Sequence, residues 1–225
     1  MRIDLISAVP DLLFSPLNTS IVKRAQTKGL VEIHVHNLRD YAHDKHRLID
    51  DKPFGGGAGM TLKPEPFFEC ILKLQSERKY DKIIYPSPRG KIFTQPDANR
   101  LSLSENILFI LGHYKGIDER VFIRFPGEEI SIGNFVLSGG ELPALLMLDA
   151  IVRVVPGVLN DSESALSDSF QDGEQIGAPT YTRPASYEGL DVPEILLQGN
   201  HEAVKEWKSE QASVSTDEWK KINKL

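Results

Sequence analysis

The densest run of unusual residues is Asp50-Asp51-Lys52-Pro53-Phe54-Gly55-Gly56-Gly57-Ala58-Gly59-Met60. Each glycine raises the entropy lost on ordering, so four of them in five residues suit backbone brought close to a ligand better than a plain connector. Gly55, Gly57 and Gly59 match a GxGxG pattern of nucleotide folds. The context of that pattern is missing, because no apolar strand runs into the loop, the preceding residues are charged, and no Gly-Lys-Ser/Thr follows. Arg39, Lys45, His46, Arg47 and Lys52 gather just ahead of it. A solvated face is the usual fate of such a cluster; beside a glycine loop, phosphate contact competes with it.

Three further loops carry glycine at the ends of apolar runs: Tyr85 to Gly90, Leu111 to Arg120 and Ser131 to Gly140. Open α/β sheets bind ligands at the carboxyl ends of their strands, where backbone N–H and C=O groups can read a flat adenine edge without side chains. The bland alternative is three ordinary turns. Asp149 and Arg153 lie four residues apart, the spacing of a surface ion pair on a helix. Asp168 fits a helix N-cap or a solvated loop acid. Four histidines fall between His34 and His46, but no cysteine pair accompanies them, and the sequence holds no metal-ligand motif. Ser138 is outside any Gly-x-Ser-x-Gly elbow, which argues against a serine hydrolase.

The elements that must position these residues follow from apolar patterning. Ile3 to Val9, Val31 to Val35, Lys82 to Tyr85, Ile107 to Leu111 and Glu129 to Ile132 read as short strands. Helical patterns cover Ser20 to Lys28, Pro66 to Gln75, Gln95 to Leu101 and Asp118 to Ile123. The β-then-α rhythm predicts a mostly parallel sheet with helices on both faces. Glu141 to Val155 is the clearest helix, with Pro143 in its first turn and a polar stripe ending in Arg153. From Pro156 to Pro184 the chain turns rich in Gly, Pro, Ser and acid, which predicts a linker after a domain of about 160 residues. The stretch from about Gly199 reads as helical.

The chain has 225 residues, 26 Lys plus Arg against 32 Asp plus Glu, and a net charge of −6. Proteins that coat nucleic acid by charge alone are usually basic, so a nucleic-acid partner would need a local patch, which more than one chain could assemble. Uninterrupted apolar runs fall well short of the about twenty residues a membrane helix needs. Asp4 and Asp11 interrupt the N-terminal apolar stretch, which does not read as a signal peptide, and Cys70 stands alone. Together these predict a cytoplasmic protein without internal disulfides.

Taken in order, the motifs resemble the bacterial tRNA (guanine-N1)-methyltransferase family of knotted (SPOUT) methyltransferases. The blocks that carry the resemblance are Asp44-Lys45-His46, Asp50-Asp51 with Gly55-Gly56-Gly57 and Gly59-Met60, Gly116 to Arg120, Ser131-Ile132-Gly133, Leu137 to Ala144, Pro156-Gly157-Val158, Asp168-Ser169-Phe170 and Tyr181 to Pro184. They run from about Ile3 to Trp207. The resemblance implies a deep C-terminal trefoil knot in an α/β domain over residues 1–160, a linker over 161–172 that carries the catalytic acid and orders on tRNA, and a small, mainly helical tRNA-binding domain over 173–225. It implies S-adenosylmethionine bound by Pro88, Gly112, Tyr114, Gly116, Ile132, Gly133, Asn134, Phe135, Val136, Leu137, Gly139 and Gly140. It implies a homodimer with active sites at the subunit interface, and methylation at N1 of the guanosine 3′ to the anticodon where a G precedes it. Asp168 matches the family's general base and Arg153 the position that meets charge on O6. His46, Asp50, Gly55, Gly59, Ser169, Arg183 and Gly199 match substrate-binding positions, and Mg²⁺ enters by resemblance alone.

The chain departs from the family pattern at three places. Lys115 stands where the family usually has Glu, Asn134 replaces the usual Asp, and the segment Glu174 to Ala178 lacks an acid and is one residue longer. The tail ends without the usual Arg-Arg-Pro, for which Lys220, Lys221 and Lys224 are partial substitutes. These departures define the alternative reading, a non-catalytic tRNA-binding relative with impaired cofactor binding. A Rossmann-type enzyme using the loop Gly55 to Gly59 is the third.

Overall fold

The computed structural model describes residues 1–159, 168–171 and 174–223. The chain divides into two compact units, Met1–Asn160 and Asp161–Leu225.

In the first unit, five strands form one sheet in the order β2-β1-β6-β5-β7, every pair parallel: β1 (Arg2–Ser7), β2 (Glu32–Asn37), β5 (Lys82–Ile92), β6 (Asn106–Ile110) and β7 (Glu128–Ser131). The two-residue period of a strand sorts side chains onto opposite faces. On β6, Ile107 and Phe109 join one core while Leu108 and Ile110 join the other. The first core is closed by α1 (Asp11–Leu17), α2 (Ser20–Thr27), α4 (Gln95–Ser102) and α6 (Glu141–Arg153), with α6 packed against the other three. The second core is closed by α3 (Pro64–Glu77) and α5 (Glu119–Arg124).

Local chemistry sets these elements. Pro64 begins α3 where a missing N–H costs nothing. Thr94 and Asp97 close a capping box on α4, with Asp97 accepting from the Thr94 hydroxyl at 2.9 Å. Asp118 caps α5, accepting from the Arg120 amide at 3.0 Å and pairing twice with its guanidinium at 2.8 Å. That ion pair, ahead of burial, holds the Asp118 carboxyl below the usual range. Within β1, Asp4 is fully buried and accepts from Arg2 at 2.9 Å, Tyr80 at 2.9 Å and the His36 ring at 2.7 Å.

Two features differ from the sequence expectation. Strand β5 does not end at Tyr85: Pro86 and Lys91 both pair with Ile130, so residues 87–90 bulge out and the strand resumes to Ile92. The glycine-rich run is the tip of a small hairpin, β3 (Asp50–Asp51) against β4 (Thr61–Leu62), and no helix opens from it. That removes the strand–loop–helix context a Rossmann phosphate loop requires.

The second unit contains a hairpin, β8 (Ser186–Tyr187) and β9 (Leu190–Asp191), turned by Glu188 and Gly189 at positive φ, and then α7 (His201–Asn223). Phe170 stacks edge-on against Trp219 of α7 with centroids 5.4 Å apart, and the Ile176 amide donates to Thr216 at 3.0 Å. These contacts fasten the Asp168–Gln171 turn to the long helix. The linker stretch Asp161 to Ala165 and Lys224 lie outside the described residues.

Candidate active site

The bulge of β5 and the carboxyl ends of β6 and β7 open into one cleft of about 800 Å³. Its walls are the bulge Ser87-Pro88-Arg89, the loop Gly112 to Ile117, and the loop Ile132 to Gly140. The three loops singled out for glycine therefore converge. Hydrogen bonds join them: the Gly140 amide donates to the Gly112 carbonyl at 2.7 Å, and His113 and Gly139 form an antiparallel bridge. A Cβ on Gly140 would stand 3.1 Å from the Leu111 backbone, so a side chain there would press these stretches of chain apart by a few tenths of an ångström. A flat heteroaromatic ligand suits such a backbone-lined slot.

Of the positions expected to bind cofactor, Pro88, Gly112, Tyr114, Gly116, Ile132, Gly133, Phe135, Val136, Leu137, Gly139 and Gly140 all line this cleft. Asn134 lies in the same loop but is not part of the lining. Arg89 is a cation at the cleft wall, yet it is committed to Glu129 at 3.0 Å and Glu119 at 3.3 Å and lies over the Phe122 ring at 5.0 Å. Lys115 makes no ion pair with a described residue; its stem lies across Gly59, whose Cβ would stand 2.8 Å from Lys115 Cγ. The Lys115 amide donates to the Met60 carbonyl at 3.0 Å, and the Leu62 amide to the Gly116 carbonyl at 2.9 Å. The glycine hairpin is thus pinned at its base to the cleft wall.

Other expected substrate positions spread around the hairpin. Asp50 begins β3, and Gly55 stands at its tip with φ +85° and open space where a side chain would be. His46 is exposed in a turn organised by Asp44, whose carboxylate accepts the His46 and Leu48 amides at 2.9 and 2.8 Å. Burial pushes the Asp44 pKa up, but those amides outweigh it and hold the group below its ordinary value. The histidines do not converge: His36 pairs with Asp4 and His43 with Glu69, each at 2.7 Å.

A family model described as tRNA (Guanine-1)-methyltransferase TrmD matches residues 1–222. The chain belongs to this family. A curated relative from Bacteroides thetaiotaomicron, named tRNA (guanine-N(1)-)-methyltransferase, is 55% identical over 212 residues, 94% of each chain. One of the same name from Chlorobaculum tepidum is 52% identical over 216 residues, 96% of this chain and 94% of its own. Another, from Flavobacterium johnsoniae, is 53% identical over 212 residues, 94% of this chain and 93% of its own.

Of the remaining family positions, one lies on α6 and the others in the second unit. Arg153 ends α6, the helix that begins at the cleft with Glu141. At 1.5 Å per residue the helix carries it about 18 Å from that end, and Arg153 is not among the lining residues. In the second unit, Asp168 is half-buried and starts the turn fastened to α7. Ser169 accepts from the Gly177 amide at 2.9 Å. Arg183 lines a smaller cavity of about 340 Å³ with Tyr181, Val192 and Leu196, and Gly199 precedes α7 at φ +72°. Of the departures, Glu174 pairs with Lys220 at 2.7 Å, so one of the tail lysines is engaged within its own unit. Two polar residues at the cleft, buried Glu141 and half-buried His113, escaped sequence reasoning because their partners are remote in the chain.

Proposed function

We propose that this chain is a cytoplasmic tRNA (guanine-N1)-methyltransferase that uses S-adenosylmethionine and modifies the guanosine 3′ to the anticodon in tRNAs where a G precedes it. The observation that carries the reading is the convergence of three glycine loops into one backbone-lined cleft, in a chain whose family match spans residues 1–222. The N–H and C=O groups of the glycine loops suit an adenine edge, and apolar Ile132, Phe135 and Leu137 suit its faces. In the family this cleft is a trefoil knot, and the tight crossing of 111–113 with 139–140 supports that topology.

When bound, the donor supplies an electrophilic methyl group, and the electrons of the broken C–S bond stay on sulfur. Guanine N1 carries a proton and is a poor nucleophile until it leaves. Asp168 takes that proton as general base. The negative charge then spreading onto O6 meets the guanidinium of Arg153, which is permanently protonated. The freed N1 lone pair forms the new N–C bond. His46, Asp50, Gly55 and Gly59 hold the nucleotides near the cleft, while Ser169, Arg183 and Gly199 serve the second unit's share of the tRNA.

Arg153 stands about 18 Å along α6 from its own cleft, beyond the reach of a side chain to that chain's donor. The composite site therefore forms between two copies. Exposed apolar residues beside the cleft support this: Val136 is 89% exposed, and Leu142 and Leu146, one turn apart on α6, are each about half exposed. No helix among the described residues is long and apolar enough to cross a membrane. The described residues offer no group of three or more His, Cys, Asp or Glu suited to a metal ion, so Mg²⁺ has no assigned ligands and no step runs through it.

The test is mass spectrometry of tRNA nucleosides after incubation with enzyme and S-adenosylmethionine. The expected result is 1-methylguanosine at the position after the anticodon in tRNA with a G-G step, and none when the first G is replaced. Methylation of another atom would overturn the reading. No methylation, alongside tight tRNA binding, would favour the non-catalytic relative that Lys115 raises.

A further inference from the structure

Glu141 opens α6 with its side chain 1% exposed, a place where the helix N-terminus favours a carboxylate. Oε1 accepts from the Ser7 hydroxyl at 2.7 Å. Ser7 Oγ itself accepts from the Val9 amide at 2.9 Å, so its one proton is committed to Glu141. The other carboxylate oxygen, Oε2, is buried without a hydrogen-bond partner among the described residues. So is His113 Nδ1, which stands 3.8 Å away. His113 is a lining residue of the cleft, its side chain about one-fifth exposed and its ring edge-on to Tyr114. Gly139 lies beside the two groups, and a methyl there would overlap both the carboxylate and the ring.

Two complementary orphan groups facing each other beside a ligand cleft call for a pairing, because a buried polar atom left alone is costly. A shift of about 1 Å turns the gap into a hydrogen bond. We propose that Glu141 is a positioning residue for His113: its carboxylate holds the imidazole as the Nδ1–H tautomer, which leaves Nε2 a fixed acceptor on the cleft wall for a hydroxyl or ammonium group of the bound methyl donor. A carboxylate can only accept, so it selects the tautomer with hydrogen on the nitrogen that faces it. The proposal rests on reading the cleft as the donor site.

Glu141→Gln makes the logic testable. The Ser7 proton selects the carboxamide oxygen, which turns the NH₂ group toward His113 Nδ1. That nitrogen must then accept, the proton moves to Nε2, and the cleft loses its acceptor. Long-range ¹H–¹⁵N spectra of the full chain, at a pH where the ring is neutral, should show the Nδ1–H tautomer for His113 in the wild type and the Nε2–H tautomer in Glu141→Gln. Calorimetry with S-adenosylhomocysteine should show binding weakened roughly tenfold in Glu141→Gln and in His113→Phe, which keeps the ring shape. Both variants should keep the wild-type near-UV spectrum. An Nε2–H tautomer in the wild type, or affinities within twofold of wild type in both variants, overturns the proposal. Absence of S-adenosylhomocysteine binding by the wild type overturns the reading of the cleft instead, and the tautomer result still judges the dyad.

Discussion

Two glycine-to-alanine substitutions separate the cleft from the glycine hairpin as the donor site. At Gly57 the backbone sits at φ +106° with nothing within 4 Å of where a methyl would stand, so Gly57→Ala meets only backbone strain. That costs about 1–2 kcal/mol, localised in an exposed loop. At Gly139 the φ is ordinary, but a methyl runs into the Glu141 carboxylate and the His113 ring, both held in the wall. Neither neighbour is a free surface side chain: Glu141 is tied to Ser7, and His113 is bridged to Gly139 through the backbone. Overpacking of this kind costs about 1–3 kcal/mol. Because the strain falls on the cleft wall, about 1.4 kcal/mol of it expressed in binding is a tenfold loss of donor affinity. Calorimetry with S-adenosylhomocysteine on each variant reads the difference. The expected result is a roughly tenfold or greater loss for Gly139→Ala and no change for Gly57→Ala. The reverse pattern would refute the reasoning and return the donor to the hairpin.

Other consequences follow from single residues. Asp168→Ala should lower single-turnover methylation about 10²- to 10⁴-fold while S-adenosylhomocysteine affinity stays within twofold; retained turnover would remove it as the base. Arg153→Ala should lower turnover about 10²- to 10³-fold with the same unchanged affinity, since Arg153 lies outside the cleft lining. Asp4→Asn should destabilise the fold by about 3 kcal/mol in urea titrations at neutral pH, the lower end for a broken buried pair because Arg2 is 15% exposed. Burial pushes the Asp4 pKa up, but His36, Arg2 and Tyr80 outweigh it and hold the carboxyl well below its ordinary value. Its contribution is therefore complete above about pH 4 and is lost as pH falls further, so the gap between wild type and Asp4→Asn should close in acid.

Much of the scaffold is legible in the sequence because period and punctuation are local. Gln95 to Leu101 reads as a helix and is one, from Gln95 to Ser102, since Thr94, Pro96 and Asp97 write its start in adjacent residues. Helix α1 escapes notice because it is one short segment with Pro16 inside it. The β3–β4 hairpin escapes because each strand is two residues long and Asp50-Asp51 has no apolar alternation to detect. The return of β5 beyond its bulge depends on Ile130, a pairing that no pattern within Lys82 to Ile92 reveals.

The candidate site divides the same way. Glycines and turn residues at strand ends flag three loops, but their convergence is a property of the sheet order, which places β5, β6 and β7 side by side. The Ser7–Glu141 hydrogen bond spans 134 residues, so neither residue advertises the other. Arg153 and Asp168 look like a surface ion-pair partner and a loop acid in the sequence, and only the family blocks around them suggest chemistry. The helical spacing that makes Arg153 part of a polar stripe also carries it away from its own cleft.

In the proposed reaction one chain's cleft works with another chain's Arg153. Co-expression of Arg153→Ala with a cleft-blocked Gly140→Trp chain tests it directly, each variant being inactive alone. Random pairing makes half the dimers mixed, each with one intact composite site of two, so about a quarter of wild-type 1-methylguanosine formation should return. No recovery in isolated mixed dimers that still bind S-adenosylhomocysteine and tRNA would contradict a site shared between chains.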